Sequence, residues 1–190
     1  MDAMPDELQI FTIGHSSHRM GTFVWLLRKH GIEALVDIRR FPGSRKHPHF
    51  CRESLSASLQ EEDIEYHWLE ALGGRRNRKK TDPPSPNPGL RDQSFRNYAD
   101  YMATDGFQQG VAKLLAIVRN RRTAIMCAEG LYWQCHRRLV SDYLLANGVS
   151  VQHIFPNGEV KPHSLTAGAK IESGGVTYPA PQTLFDVDGA

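Results

Sequence analysis

The sequence contains few cysteines and no long hydrophobic run. No apolar segment of the 190-residue chain approaches the length of about 20 residues that a bilayer-spanning helix needs, so we predict no membrane partner. The first ten residues carry acids and lack an apolar stretch, which argues against a secretory signal. Three cysteines are too few for a disulfide framework and are typical of a reducing compartment. We therefore expect a cytoplasmic protein.

Several familiar ligand-binding signatures are also missing. The glycine-rich patterns G-x-x-x-x-G-K-[ST] and G-x-G-x-x-G do not occur. The phosphatase pattern, in which an arginine follows the cysteine at a fixed spacing, fails after both Cys127 and Cys135. There is no CxxC pair, and the adjacent Cys135 and His136 are not expected to point at one ion. We predict no metal site and no cofactor.

The overall charge indicates little, but its distribution is uneven. Hydrophobic residues make up 40% and charged residues 23% of the chain, which is the balance of a globular domain, and the net charge is +2. Five basic residues and no acid lie between Arg39 and Arg52, and five of the six residues 75–80 are basic. Such loops attract phosphate groups, although a solvated loop is the simpler interpretation of either run alone.

Short apolar runs alternate with amphipathic segments along the chain. Strands are predicted over residues 9–13, 34–38, 64–68, 123–127 and 149–155, and helices over about 21–31, 53–62, 95–102, 107–118 and 135–147. This alternation predicts a three-layer α/β fold with a mainly parallel, Rossmann-like sheet flanked by helices. We expect one domain over residues 1–170, with an irregular basic and proline-rich loop at 73–91, and a flexible C-terminal tail over 171–190.

Polar and reactive residues follow the ends of the predicted strands. In parallel sheets, ligands bind beyond the carboxyl ends of the strands, so side chains from separate segments are expected to meet there. Guanidinium groups grip phosphate in a bidentate manner, and an aromatic ring can stack on a base. The candidate residues for binding a substrate or anion are His15, Ser16, Asp37, Arg39, Arg45, Gly74, Arg75, Tyr98 and Arg137.

The densest group of candidates contains Cys127, Glu129, Cys135 and His136, which we consider as catalytic residues. Cys135 lies at the predicted start of a helix, where the dipole and unpaired amides favour a thiolate. Glu129 is a candidate general acid or base, or it orients His136. A structural interpretation stays open, because a cysteine that ends a buried strand is usually a core residue and Arg137 can simply fasten the loop by pairing with Glu129.

The order of these motifs resembles the domain-of-unknown-function 488 family of bacteria and archaea. The resemblance is carried by Thr12-Ile-Gly-His-Ser16, Leu35-Val-Asp-Ile-Arg39 with Pro42 and Ser44-Arg45, Leu72-Gly-Gly-Arg75, Phe95-x-x-Tyr98-Ala99, Cys127-Ala-Glu129 with Cys135-His-Arg137, Val151-Gln-His-Ile154 and His163-Ser-Leu-Thr166. It implies an α/β fold in which the residues at the strand ends matter, and a connection with nucleic acids or nucleotides.

Three functions are consistent with the sequence. The first is an enzyme, a hydrolase or group transferase acting on a nucleotide-like or nucleic-acid substrate at the carboxyl edge of the sheet. The second is a nucleic-acid-binding module without catalysis, which depends on the two basic loops and whose affinity must fall with salt. The third is a thiol-dependent or metal-dependent regulatory protein, in which Cys127 and Cys135 form a disulfide or bind a metal.

Overall fold

The computed structural model describes residues 8–43 and 45–181. Its main sheet consists of β1 (Gln9–Gly14), β2 (Ala34–Asp37), β3 (Glu65–Trp68), β4 (Thr123–Cys127), β5 (Ser150–Ile154) and β6 (Val160–Pro162). The strand order is β3-β2-β4-β1-β5-β6. The first five strands are parallel, and β6 pairs antiparallel with β5. The five strands predicted from the sequence are therefore confirmed, and β6 is an addition.

Five helices cover the two faces of this sheet. They are α1 (Met20–Lys29), α2 (Arg52–Gln60), α3 (Gln93–Met102), α4 (Asp105–Val118) and α5 (Arg137–Ala146). Phe23 and Leu55 of α1 and α2 pack in one buried cluster, and Tyr98, Phe107 and Leu139 of the other helices pack in a second. The three-layer, Rossmann-like fold is confirmed. No helix in the described part of the chain is both long and apolar enough to cross a membrane.

Local sequence signals explain where the elements begin and end. Strand β4 is buried at every position, as expected for a strand covered on both faces. Asp92 and Thr104 cap α3 and α4 by accepting hydrogen bonds from backbone amides of the first turn. Gly31 and Gly148 follow α1 and α5 with φ of +64° and +78°, a conformation that glycine adopts without steric cost and that ends both helices.

The structure differs from the sequence prediction at the start of α5. The helix was expected from Cys135, but it begins at Arg137. A short 3₁₀ turn, Tyr132–Gln134, comes first, and Cys135 then takes an extended conformation with φ −142° and ψ 172°. Cys135 therefore lies before the helix, although its Sγ accepts a hydrogen bond from the amide of Arg137, the first residue of the helix, at 3.4 Å.

The chain after β6 is more ordered than the sequence indicated. Strands β7 (Lys170–Glu172) and β8 (Gly175–Thr177) form an antiparallel hairpin, and Val176 and Tyr178 are buried in the core. These residues fall within the segment expected to be a flexible tail, so that expectation does not match the structure over residues 171–181. Residues 182–190 lie outside the described residues.

The loop over residues 73–91 has no helix or strand, as its composition predicts. It is nevertheless anchored, because Ser85 and the buried Asn87 both donate hydrogen bonds to the Asp100 carboxylate, at 2.6 and 2.7 Å. Arg78 forms an ion pair with the same carboxylate, and the amide of Gly89 donates to the carbonyl of Tyr178. The loop and the C-terminal hairpin therefore hold each other against the core.

Candidate functional site

A cleft of about 920 Å³ opens at the carboxyl ends of β1, β2 and β4. This is the edge of the sheet where ligands bind in parallel α/β folds. Ten of the thirteen candidate residues line it: His15, Ser16, Arg39, Gly74, Arg75, Tyr98, Cys127, Glu129, Cys135 and His136. The other three, Asp37, Arg45 and Arg137, are not part of the lining.

Cys127, Cys135 and His136 form a buried group within this lining, which we call the sulfur cluster. Their two Sγ atoms and a ring nitrogen lie within 4.8 Å of one another. The donor atoms of the adjacent Cys135 and His136 therefore do lie close together, which the sequence analysis did not expect. The backbone changes from extended at Cys135 to helical at His136, with φ −61° and ψ −12°, and this change turns both side chains toward Cys127.

The two sulfur atoms of the cluster differ in acidity. A hydrogen bond from the Cys135 thiol, the charge of Arg137 and the backbone amides of Ala128 and Glu129 lower the pKa of Cys127 to about 7, although burial opposes the shift. Burial and the neighbouring Cys127 raise the pKa of Cys135 well above its usual range. These contacts favour negative charge on Cys127, whereas the sequence analysis considered a thiolate at Cys135 from its predicted position at a helix start.

His136 presents an unprotonated nitrogen to Cys127. Its Nε2 is 2.9 Å from the carbonyl of Ile38, so this nitrogen carries the proton and donates it. Nδ1 then has a free lone pair and lies 3.8 Å from the Cys127 Sγ. Burial lowers the pKa of His136, which keeps the ring neutral. A Cβ at Gly74 would lie only 2.9 Å from Nδ1, so this position accommodates no larger residue beside the ring.

Arg137 fastens the loop after β4 and does not reach into the cleft. Its guanidinium donates to Cys135 Sγ at 3.2 Å, to Thr12 Oγ1 at 3.4 Å and to the backbone carbonyl of Glu129. It is almost completely buried, and among the described residues it forms no ion pair with a carboxylate. A buried cation needs polar or charged partners, and here these are the Cys135 sulfur and the oxygen atoms of Thr12 and Glu129.

Asp37 also acts from behind the cleft. It is fully buried and accepts hydrogen bonds from Arg39 Nε at 2.9 Å, Arg39 Nη2 at 2.6 Å and Tyr66 at 2.7 Å. The remaining Arg39 nitrogen, Nη1, is 3.4 Å from His15 Nε2. Asp37 therefore neutralises and positions Arg39, which reduces the net charge that Arg39 offers to an anion.

His15 is held as a neutral acceptor on the wall of the cleft. Its Nδ1 is 2.9 Å from the carbonyl of Ser16, and its ring stacks on Phe50. Burial lowers the pKa of His15 to about 4, so the ring is uncharged at neutral pH. Its Nε2 is then an acceptor that faces Arg39. Ser16, with φ of +49°, turns the backbone at the end of β1.

The unneutralised positive charge of the cleft comes from Arg40, Lys46 and Arg75. Arg40 Nη1 donates to the carbonyl of Arg75 at 2.8 Å, which joins the two basic loops. Across the described residues, these three side chains form no ion pair with a carboxylate. Arg40 and Lys46 were not among the candidates, although Arg40 directly follows Arg39 at a strand end and this position was the available signal.

Two acids and two aromatic rings complete the lining at its exposed parts. Glu129 lines the cleft but is exposed to solvent, so it reaches a ligand only from the open side. Asp92 is the other acid of the lining, and its carboxylate also caps α3. Phe41 is 63% exposed, and Phe95 is partly buried. The cleft therefore combines free cations, aromatic faces and a buried sulfur pair.

Comparison with known proteins identifies a family without a known activity. No curated protein and no solved structure was found to match the chain. The sequence model of one family, described as "Domain of unknown function DUF488", matches residues 19–144, about two thirds of the chain. The match includes β2 to β4, the loop after β4 and most of α5, and therefore the whole sulfur cluster. The chain belongs to the DUF488 family.

Proposed function

We propose that this protein is a cysteine-dependent hydrolase or group transferase that acts on an anionic, nucleotide-like substrate in the cleft. One observation carries the proposal. The Cys127 Sγ and the unprotonated Nδ1 of His136 lie 3.8 Å apart in the lining of a cleft that also holds cations without carboxylate partners. A nucleophile beside a base, with a third group that orients the base, is the arrangement of covalent catalysis.

The first step of the reaction forms a bond between sulfur and substrate. Cys127 gives its proton to His136 Nδ1, and its sulfur attacks an electrophilic phosphorus or carbon atom of the substrate. The bond to the leaving group breaks, and the leaving group departs with the electron pair and takes the proton from His136. The carbonyl of Ile38 orients the ring and stabilises the transient imidazolium by accepting from Nε2.

The second step releases the substrate fragment from Cys127. A water molecule, or the hydroxyl of an acceptor in a transferase, attacks the fragment and gives up its proton as the bond to sulfur breaks. Glu129 is suited to accept that proton, because it lines the cleft from the side that is open to solvent. The sulfur leaves as a thiolate and takes a proton from solvent, and Glu129 releases its proton to solvent, which restores the starting state.

The substrate class is inferred from what the walls of the cleft offer. Arg40, Lys46 and Arg75 supply positive charge that no carboxylate of the described residues neutralises. Such groups bind phosphate strongly, and Arg does so with two parallel hydrogen bonds. The exposed ring of Phe41 offers a surface on which a base can stack. A ligand that carries both a phosphate group and an aromatic base is a nucleotide.

The proposal is tested first by binding and then by turnover. Nucleotides and nucleosides are screened by thermal shift on the reduced, chelator-treated chain, since a ligand that binds the folded state raises its melting temperature. We expect a nucleotide to raise the melting temperature by an amount that Arg75→Ala reduces and Arg45→Ala leaves unchanged. Of these two arginines, Arg75 lines the cleft and Arg45 does not. Among the bound nucleotides, turnover should be lost in Cys127→Ala and strongly reduced in Glu129→Gln, with binding retained. Full turnover in Cys127→Ala would refute the proposal.

A nucleic-acid-binding module is the second candidate. It is favoured by exposed basic residues that lie outside the cleft lining, namely Arg45, Lys79 and Lys80. In this case short DNA or RNA would bind, salt would weaken the binding steeply, and Arg45→Ala would weaken it as much as Arg75→Ala does. The cytoplasmic location stays a prediction from the cysteine content.

A further inference from the structure

The sulfur cluster has the donor atoms of a metal site as well as those of a nucleophile. We infer that Cys127, Cys135 and His136 bind one thiophilic divalent cation of the zinc class, with the fourth coordination position facing the cleft. This goes beyond the proposed function, since it assigns a further ligand to the same sulfur atoms. A sulfur bound to the metal cannot also attack a substrate, so the metal-bound and nucleophilic states exclude each other.

The spacing of the three donor atoms fits a tetrahedral ion. With zinc–sulfur bonds of about 2.3 Å and zinc–nitrogen bonds of about 2.0 Å, two ligand atoms on one zinc lie roughly 3.5–3.8 Å apart. The distance between Cys127 Sγ and His136 Nδ1 is 3.8 Å, and all three donor atoms lie within 4.8 Å of one another. Small side-chain movements are therefore sufficient to bring the donors to bonding distance.

The outer contacts of these residues are those that metal ligands require. A histidine that binds a metal usually donates its other ring N–H to a carbonyl or carboxylate, which fixes the tautomer. His136 does this through Nε2 and the carbonyl of Ile38, at 2.9 Å. The amide and Nε of Arg137 donate to the Cys135 Sγ at 3.4 and 3.2 Å, which stabilises negative charge on that sulfur.

The donor set also selects the type of metal. Two sulfur atoms and an imidazole favour zinc and similar soft or borderline cations, whereas Mg²⁺ and Ca²⁺ require oxygen ligands. Two thiolates neutralise a divalent ion, and the buried Arg137 beside them then leaves one positive charge in the region. That charge favours an anion or a hydroxide as fourth ligand. All three protein ligands line the cleft, so such a ligand has access to the ion.

The experiment measures metal binding and needs no substrate. The full-length chain is reduced, dialysed against a chelator and titrated with Zn²⁺ against a chromophoric competitor, and with Co²⁺ under an absorption spectrometer. We expect one ion per chain and a thiolate-to-cobalt charge-transfer band. Cys135→Ser and His136→Gln should lower the affinity by about 100-fold or more, while Cys51→Ser should match the wild type. Gly74→Ala, which crowds His136 Nδ1, should lower it by about 10- to 100-fold.

Two results would overturn the inference. In the first, the wild type shows neither a thiolate-to-cobalt band nor stoichiometric metal binding. This result does not depend on whether any variant folds. The other is zinc affinity that Cys135→Ser and His136→Gln leave unchanged while circular dichroism shows both to be folded. Because the enzymatic proposal is tested by turnover of the chelator-treated chain, either proposal can fail while the other stands.

Discussion

Two buried polar groups contact Arg137, and they differ in how completely their hydrogen-bonding capacity is used. One is the sulfur cluster, which contacts Arg137 through Cys135 and is open to the cleft. The other, which we call the histidine network, consists of Thr12, His153, His163, Asp142 and Tyr178 and is buried throughout. The network contacts Arg137 through Thr12, so a single side chain joins the two groups.

The histidine network is closed, because one assignment of its protons satisfies every ring nitrogen and both carboxylate oxygens. Thr12 donates to His153 Nδ1 at 2.7 Å, and His153 Nε2 donates to His163 Nδ1 at 2.9 Å. His163 Nε2 then donates to Asp142 Oδ1 at 2.8 Å, and Tyr178 donates to Asp142 Oδ2 at 2.7 Å. The amide of Thr166 adds a second donor to Oδ1. Every ring nitrogen of the network is therefore bonded within the protein.

The sulfur cluster is the opposite case. His136 Nδ1 and the Cys127 Sγ both line a cleft, and the contact of Nδ1 with that sulfur, at 3.8 Å, is a long one. The sulfur also accepts from the Cys135 thiol and from two backbone amides, but it keeps its access to the cleft. A fully satisfied buried network stabilises one conformation, whereas donor atoms with spare capacity are available for chemistry. Under the proposed function, the two sets of buried histidines in one domain differ in role: one serves stability and the other serves chemistry in the cleft.

The largest effect that separates the two groups is expected from Asp142→Ala. It removes the acceptor of His163, Thr166 and Tyr178 in a site without access to water. Breaking a buried polar network of this kind costs about 3–5 kcal/mol of unfolding free energy. Urea denaturation measures the loss, and the milder Asp142→Asn keeps the measurement feasible if the alanine variant does not fold. A loss below about 1 kcal/mol would show that the network is not a main source of stability.

The pH dependence of stability is the next largest effect. Burial, His163 and Arg137 lower the pKa of His153 to about 3, from an ordinary value of 6.5 in the unfolded chain. Below pH 6.5 His153 is protonated in the unfolded chain but stays neutral in the folded protein. The free energy of unfolding therefore falls as the pH decreases from 6.5 toward 3. The contribution of His153 is fully present above pH 6.5 and declines by up to about 1.4 kcal/mol per pH unit below it.

Urea denaturation between pH 7.5 and 5 checks this slope. His153→Asn should make the slope shallower, since asparagine does not titrate. His67→Gln is the matched control, because it removes a partly exposed histidine of the edge strand β3 that lies outside the network. Equal slopes in the wild type and His153→Asn would contradict the assignment.

Tyr178→Phe tests one bond of the network. The substitution keeps the ring in the core and removes only the hydroxyl that donates to Asp142 Oδ2. We expect a loss of about 1–3 kcal/mol, because a buried carboxylate oxygen is left without its donor. Tyr143→Phe is a useful control, since its hydroxyl donates to the exposed Gln108 and its removal should cost less. Equal losses of unfolding free energy in the two variants would contradict the conclusion that the hydrogen bond to Asp142 is a stronger source of stability.

The smallest effect on stability is expected from Cys127→Ser in the sulfur cluster. Serine keeps an acceptor for the amides of Ala128 and Glu129 that contact the sulfur, and the change in volume is small. We expect a change of about 1 kcal/mol or less in unfolding free energy by the same assay. A loss as large as that of Asp142→Ala would mean that the cluster serves folding, which would remove the contrast between the two groups.

Much of the fold followed from hydrophobic patterning. The apolar runs that became β1, β2 and β4 predicted a buried parallel sheet, and the sheet then predicted which edge would collect reactive side chains. The three-residue strands β6, β7 and β8 were missed, because so short a segment has no recognisable period. These strands are held in place by contacts between remote segments. Tyr178, just after β8, donates a hydrogen bond to Asp142, and its carbonyl accepts one from the amide of Gly89.

The sequence predicted which residues gather at the candidate site better than it predicted what each of them does there. Most of the candidates do line one cleft, but Asp37 and Arg137 act from behind it and Arg45 lies outside its lining. The sequence indicated a thiolate at Cys135 from its predicted position at a helix start, because local position carries no information on the contacts between the two sulfurs. The hydrogen bond between the sulfurs and the amides after β4 instead favours charge on Cys127.

The sequence by itself determined the class of fold, the family and the edge of the sheet where most of the candidate residues meet, because these depend on periodicity and on residues close together along the chain. Only the tertiary structure decided which groups are charged, which are closed by partners and which face a ligand. Those properties depend on distances between remote segments, such as Ile38 to His136 or Thr12 to Arg137, and on the solvent that each contact excludes.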